Sequence, residues 1–85
     1  MTIIQKAEHI INGPRAKDYG PASENFNRIA VRWSQIFGVP VSAEQVCLAM
    51  IDLKVCRAIT SPGHEYSWLD IAGYVGCWDK VRRGE

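Results

Sequence analysis

Residues 54–74 read Lys54-Val-Cys-Arg57-Ala-Ile-Thr-Ser-Pro62-Gly63-His64-Glu-Tyr66-Ser-Trp-Leu-Asp70-Ile-Ala-Gly-Tyr74. The run is the end of one helix, a tight turn and the start of another. Thr60-Ser61-Pro62-Gly63 breaks the chain between them. Helical spacing sets Arg57 and Asp70 on the apolar faces of their two helices. An unpaired charge in low dielectric costs several kcal/mol, so each needs a partner or a ligand. Arg57 and Asp70 therefore either pair with each other across the helices or face a bound molecule.

Upstream of this stretch, Val39-Pro40-Val41 leads to Ser42, with Gln45 three residues on. That is a capping box, and Val41 and Val46 are spaced for a hydrophobic staple. The helix it starts runs to about Ile59. Val46, Ala49, Met50 and Leu53 form one apolar stripe, and Leu48, Ile51, Val55 and Ile59 a second. A helix apolar nearly all round is expected to be the central one. Arg57 lies within about 20° of Val46 and Lys54 within about 80°, so the two cations share a side. Downstream, a helix over about His64 to Val81 carries Tyr66, Ser67, Asp70, Ile71, Tyr74, Cys77, Trp78 and Val81 on one face. Gly73 and Gly76 fall inside it. Each costs about 1 kcal/mol against Ala, which the close approach of a neighbouring helix or subunit would offset.

Two more helices precede these. Thr2 and Gln5 fit a capping box, and Ile3, Ile4, Ala7, Ile10 and Ile11 make one stripe before Asn12-Gly13-Pro14 stops the helix. Arg15 to Gly20 is expected to be a polar connection, with Arg15 and Tyr19 available as ligand contacts or solvated. A helix from about Pro21 to Phe37 gathers Phe26, Ile29, Ala30, Trp33, Ile36 and Phe37 on one side. Glu24 falls opposite that side, where a first-turn acid suits the helix dipole. The sum is an all-α, antiparallel four-helix bundle formed by a single domain over residues 1–85.

Composition narrows the function. The 85 residues carry a net charge of +1 and are 47% hydrophobic, which is neither disordered nor basic enough for non-specific nucleic-acid binding. A thin core in so short a chain favours self-association. There is no membrane-length apolar run and no signal-peptide layout, which points to the cytoplasm. Cys47, Cys56 and Cys77 lack zinc spacing and read as reduced thiols. The helix–turn–helix look of Ile29 to Met50 fails as a DNA reader, because its second helix is too apolar to lie in a groove. Two cations can hold a phosphate, with Arg giving a bidentate fork, and aromatics can stack a base. Lys54 and Arg57, with Asp70, Tyr66, Tyr74, Trp78 and His64, are thus candidate nucleotide contacts. A metal phosphohydrolase needs converging carboxylates, and Glu24, Asp52, Glu65 and Asp70 are the acids on offer. Glu65 and Asp70 point about 140° apart on their helix.

The residues also resemble a family. Arg15-x-x-x-Tyr19-Gly20, Glu24-Asn25-Phe26, Ile29-Ala30, Trp33-Ser34, Met50 with Leu53-Lys54-Val55-x-Arg57, and Asp70-Ile71-Ala72-Gly73-Tyr74 are similar to small phage-encoded, MazG-like helical proteins. The resemblance covers nearly the whole chain. It implies an all-α nucleotide pyrophosphohydrolase-type fold, working as an oligomer in the host cytoplasm. It further implies Mg2+ held by acids, with Asp70 and Glu24 as ligands and Lys54 and Arg57 on phosphate. The sequence departs from that pattern: the acid expected four residues before Asp70 is Tyr66, and Asn27 stands where Glu24 would have an acidic companion. The leading expectation is a protein that holds a linear or cyclic nucleotide intact, as a phage would to sequester a host signal. The alternatives are a Mg2+-dependent pyrophosphohydrolase and an interaction module without a ligand.

Overall fold

The computed structural model describes residues 1–85 and contains helices and no strand. Four longer helices, α1 (Ile3–Asn12), α3 (Ala22–Phe37), α4 (Ala43–Thr60) and α5 (Glu65–Arg82), are joined by short turns. A fifth, α2 (Pro14–Tyr19), occupies the segment expected to be a polar connection. Pro14 at its first position and Gly20 at its end, with φ 76°, are what permit one and a half turns there.

Local chemistry sets the boundaries. Both capping boxes form: Thr2 Oγ1 accepts from the Gln5 N–H and Ser42 Oγ from the Gln45 N–H, and each glutamine side chain accepts from its cap's own N–H. Gly38, at φ 70°, closes α3 in the left-handed conformation. Ser34 holds the following turn: its hydroxyl donates to the Ala30 carbonyl at 2.8 Å and accepts from the Val41 N–H at 2.8 Å. In the α4–α5 turn, the Trp68 indole N–H donates to the Pro62 carbonyl at 2.8 Å.

The central helix is α5, which packs against α1, α3 and α4. The expectation that the doubly striped α4 would be central is corrected: its buried residues, Ala43, Val46, Cys47 and Ala58, run along the line between the two stripes, while Ala49 and Leu53 of one stripe and Leu48, Val55 and Ile59 of the other are exposed. The core joins Phe26 and Ala30 of α3 to Ala43, Val46 and Cys47 of α4, with Trp33, Met50, Tyr74 and Cys77 packed around them. Phe26 and Tyr74 meet edge to face, ring centroids 6.3 Å apart. Val41 packs on this cluster, as the staple requires. Ile36 and Phe37, expected on the buried stripe of α3, are exposed at its C-terminal end.

Candidate functional site

A cavity of about 210 Å³ lies where α1 and α2 meet α3 and α5, with Val46 and Met50 of α4 closing its floor. The stripes of four helices converge here, and small residues leave the space open: Ala7 on α1, Ala22 on α3 and Gly73 on α5. Its walls include Phe26, Ile29, Trp33 and Tyr74. Arg15, Tyr19, Asn25, Asp70 and Lys80 bring polar groups to the same space.

The cations differ in how they are held. Lys54 Nζ lies 3.0 Å from Asp70 Oδ2, and this pair is partly buried, with side chains 20% and 32% exposed. Asp70 therefore pairs with Lys54, which corrects the expected Arg57–Asp70 pair. The covered face of α4 is marked by Val46, Cys47 and Ala58, not by Val46 alone. At 100° per residue, that turns its centre about 70° away from Val46, onto Lys54 and off Arg57. Arg57 is exposed. Lys80 Nζ donates to Asn12 Oδ1 at 2.5 Å and to the Ile11 carbonyl at 3.4 Å, tying α5 to the end of α1. Arg15 has no carboxylate within ion-pair distance.

Cys77 lines the same cavity, and its thiol reports the local field. Burial pushes its pKa up, while the nearby Lys80 ammonium and Arg15 guanidinium pull it down. Two cationic side chains thus act on one wall of the cavity. Cys47, behind it in the core, is pushed up to about 11 by burial and by the neighbouring Cys77.

Of the sequence-derived contacts, Arg15, Tyr19, Asp70 and Tyr74 line the cavity, and Lys54 joins it through Asp70. The others lie elsewhere. Trp78 packs in a shallow cleft with Leu48 and Ile51. Tyr66 and His64 sit together at the start of α5, ring centroids 5.7 Å apart, and both are exposed. Glu24 is exposed at the start of α3, close to Gly20. Sequence reasoning missed Lys80, Asn25 and Trp33 as cavity residues. Trp33 had been read only as core, and Lys80 is four residues beyond Gly76, on the flank of α5 that the glycines open.

Three or more Asp, Glu, His or Cys side chains converge nowhere in the chain. Asp70 is engaged by Lys54, and Glu24 has no acidic companion, so these residues do not fit a Mg2+ site. No helix is long and apolar enough to cross a membrane.

A helical chain with an apolar inter-helix cavity and a cationic rim is the class this geometry defines. Its family is shown by sequence: the chain belongs to the family described as "Domain of unknown function (DUF6378)", which it matches over residues 2–82. It is similar to the "Gene 55 protein" of Mycobacterium phage L5, with 44% identity over 86 residues, covering 100% of this chain and 55% of that protein. It is also similar to the "Gene 55 protein" of Mycobacterium phage D29, with 35% identity over 80 residues, covering 94% and 53%. The chain thus spans about half the length of these relatives, and both are phage proteins. No solved structure matches it.

Proposed function

We propose that the chain is a MazG-like, self-associating nucleotide-binding protein that holds a phosphorylated nucleotide without cutting it. The supporting observation is the cavity itself, where Tyr74, Phe26 and Trp33 share a space with Arg15, Lys80 and the Lys54–Asp70 pair. At about 210 Å³ it is smaller than the roughly 300–1,000 Å³ of sites that enclose a drug-sized ligand. It suits a base or another part of a nucleotide, with the phosphates outside. In this reading the base enters against Tyr74. Arg15, which has no carboxylate to satisfy it, takes phosphate as a bidentate fork. Lys80 adds charge. Asp70 holds Lys54 in place or accepts from the base. The absence of a converging acid set favours holding over hydrolysis. In a phage-type protein, that activity would sequester a nucleotide signal of the host.

Thermal unfolding against a panel of linear and cyclic nucleotides, with and without Mg2+, tests the proposal. A ligand present at 100 times its Kd adds about 2.7 kcal/mol to stability. The expected result is a rise in Tm without Mg2+, with the ligand recovered intact by chromatography. Arg15→Ala, at an exposed position, should abolish the rise while leaving the unliganded Tm unchanged. Mg2+-dependent loss of the nucleotide would instead establish a pyrophosphohydrolase. No shift with any nucleotide would leave an interaction module.

A further inference from the structure

Asp70 has an oxygen to spare. The residue lines the cavity, while Lys54, which does not, holds its Oδ2 at 3.0 Å from outside that space. Its Oδ1 has no hydrogen-bond or ion-pair partner in the chain. Paired with an ammonium, the group is a carboxylate: both oxygens accept and neither donates. With about four lone-pair sites between them, the two oxygens can take a second pair of donors while Lys54 keeps its own. The other carboxylate on the lining, Glu85, is engaged by Arg83 at 3.0 Å and lies past Lys80, whose carbonyl accepts from its N–H.

The order of side chains along α5 gives the cavity a direction. Asp70, Tyr74, Cys77 and Lys80 follow one another at intervals of three and four residues, and all four line the cavity. Asp70 and Lys80 are therefore about 15 Å apart along the helix axis, with Tyr74 between them. Arg15 acts at the Lys80 end, since both cations bear on the Cys77 thiol. An acceptor at one end, an aromatic ring in the middle and cations at the other end match a molecule with a donor edge, a flat body and an anionic tail. Among the nucleotide bases, guanine has that edge. It carries N1–H and N2–H2 side by side, two donors that one carboxylate accepts together. Adenine sets its amino group beside the N1 lone pair, and cytosine sets its own beside N3. Uracil and thymine put a single N–H between two carbonyls. Against each of these, a carboxylate oxygen meets a lone pair instead of a proton.

We infer that the cavity selects guanine nucleotides, with Asp70 accepting from N1–H and N2–H2 and the phosphate end lying towards Lys80 and Arg15. The inference rests on the nucleotide-binding reading above and adds to it the identity of the base. Lys54 is then a positioning residue: it fixes the Asp70 carboxylate and keeps it charged without touching the base.

Calorimetric titration with the triphosphates of guanosine, inosine, adenosine, cytidine and uridine, without Mg2+, tests it, with circular dichroism to check folding. The guanosine nucleotide should bind about tenfold to a hundredfold more tightly than those of adenosine, cytidine and uridine, the discrimination of a good bidentate pair. The inosine nucleotide, which keeps N1–H and lacks the amino group, should fall between. Asp70→Asn offers one donor and one acceptor in place of two acceptors. It should cut the guanosine-over-adenosine ratio by about tenfold or more with helicity retained. Asp52→Asn, at an exposed position that does not line the cavity, should leave the ratio as it is. Equal binding of all five nucleotides, or tightest binding of an adenosine or pyrimidine nucleotide, would overturn the inference and leave nucleotide binding standing. So would a guanosine preference that survives Asp70→Asn. Binding of none of the five would overturn both.

Discussion

Asp70 shows how a single side chain depends on helix phase. Its need for a partner was legible from the sequence, because a carboxylate among Ile71, Tyr74 and Cys77 cannot stay unpaired. Which cation answers it was not. Lys54 and Arg57 are three residues apart on the same side of α4, and the choice turns on where Cys47 and Ala58 place the covered face. Nothing in the run of residues marks those two small side chains as more buried than Leu53 or Ala49. The pair is partly exposed, so it should contribute about 1 kcal/mol, towards the upper end for surface pairs. A double-mutant cycle by urea unfolding checks this assignment. Lys54→Met and Asp70→Asn should each lower stability by about 1 kcal/mol and couple to each other. Arg57→Ala should change it by less than about 0.5 kcal/mol and show no coupling to position 70. Coupling between 57 and 70 alone would reverse the assignment.

At the scale of elements, boundaries were legible wherever they rest on local hydrogen bonding. Thr2 with Gln5 and Ser42 with Gln45 cap their helices as their spacing demands, and Gly38 and Pro62-Gly63 end theirs. The short α2 escaped because six residues give no apolar period. Its signal was Pro14 at the first position and Gly20 at the end, on either side of a polar run. The two mid-helix glycines of α5 divide in an informative way. A Cβ on Gly76 would collide with the end of the Ile11 side chain of α1, while one on Gly73 would meet Ile11 Cγ2 at 3.9 Å, an ordinary contact. Close approach thus explains Gly76 and leaves Gly73 as space in the cavity wall. Gly73→Ala should stabilise the unliganded chain by up to about 1 kcal/mol, the helix-propensity difference. In Gly76→Ala that gain is cancelled or reversed as Ile11 is displaced. Thermal unfolding of the two variants should move Tm in opposite directions, or up for Gly73→Ala alone. Equal gains would mean that α1 and α5 pack less closely than described.

For the whole molecule, the all-helical class followed from periodicity, but which helix is central did not. Two stripes on α4 say that two surfaces want cover; they do not say that the chain itself covers both. That outcome depends on how the remaining helices divide the space, and here α5 takes the centre while Leu53 of one stripe and Leu48, Val55 and Ile59 of the other stay open. Global stability has a pH dependence that follows from what was buried. Cys47 sits fully inside the core, its pKa pushed up to about 11 from an ordinary 9.0, and the pKa of Cys77 is raised in the same direction. Below about pH 8 both thiols are neutral whether the chain is folded or not, and they contribute no pH dependence. Between about pH 9 and 11 the unfolded chain ionises its thiols while the folded chain keeps Cys47 protonated. The folded state then binds more protons, so stability falls as pH rises. The fall attributable to Cys47 over that range should be about 1–2 kcal/mol, at about 1.4 kcal/mol per pKa unit and with the unfolded thiol already half ionised at pH 9. Urea unfolding from pH 7.5 to pH 11 measures it. Other groups also titrate in that range, so the comparison is with Cys47→Ala. That variant should be less stable than the wild type at pH 7.5, through lost packing, yet lose less stability on going alkaline. Parallel curves for the two proteins would mean that Cys47 ionises as freely in the folded chain as in the unfolded one, and that the junction of α3, α4 and α5 is open to water.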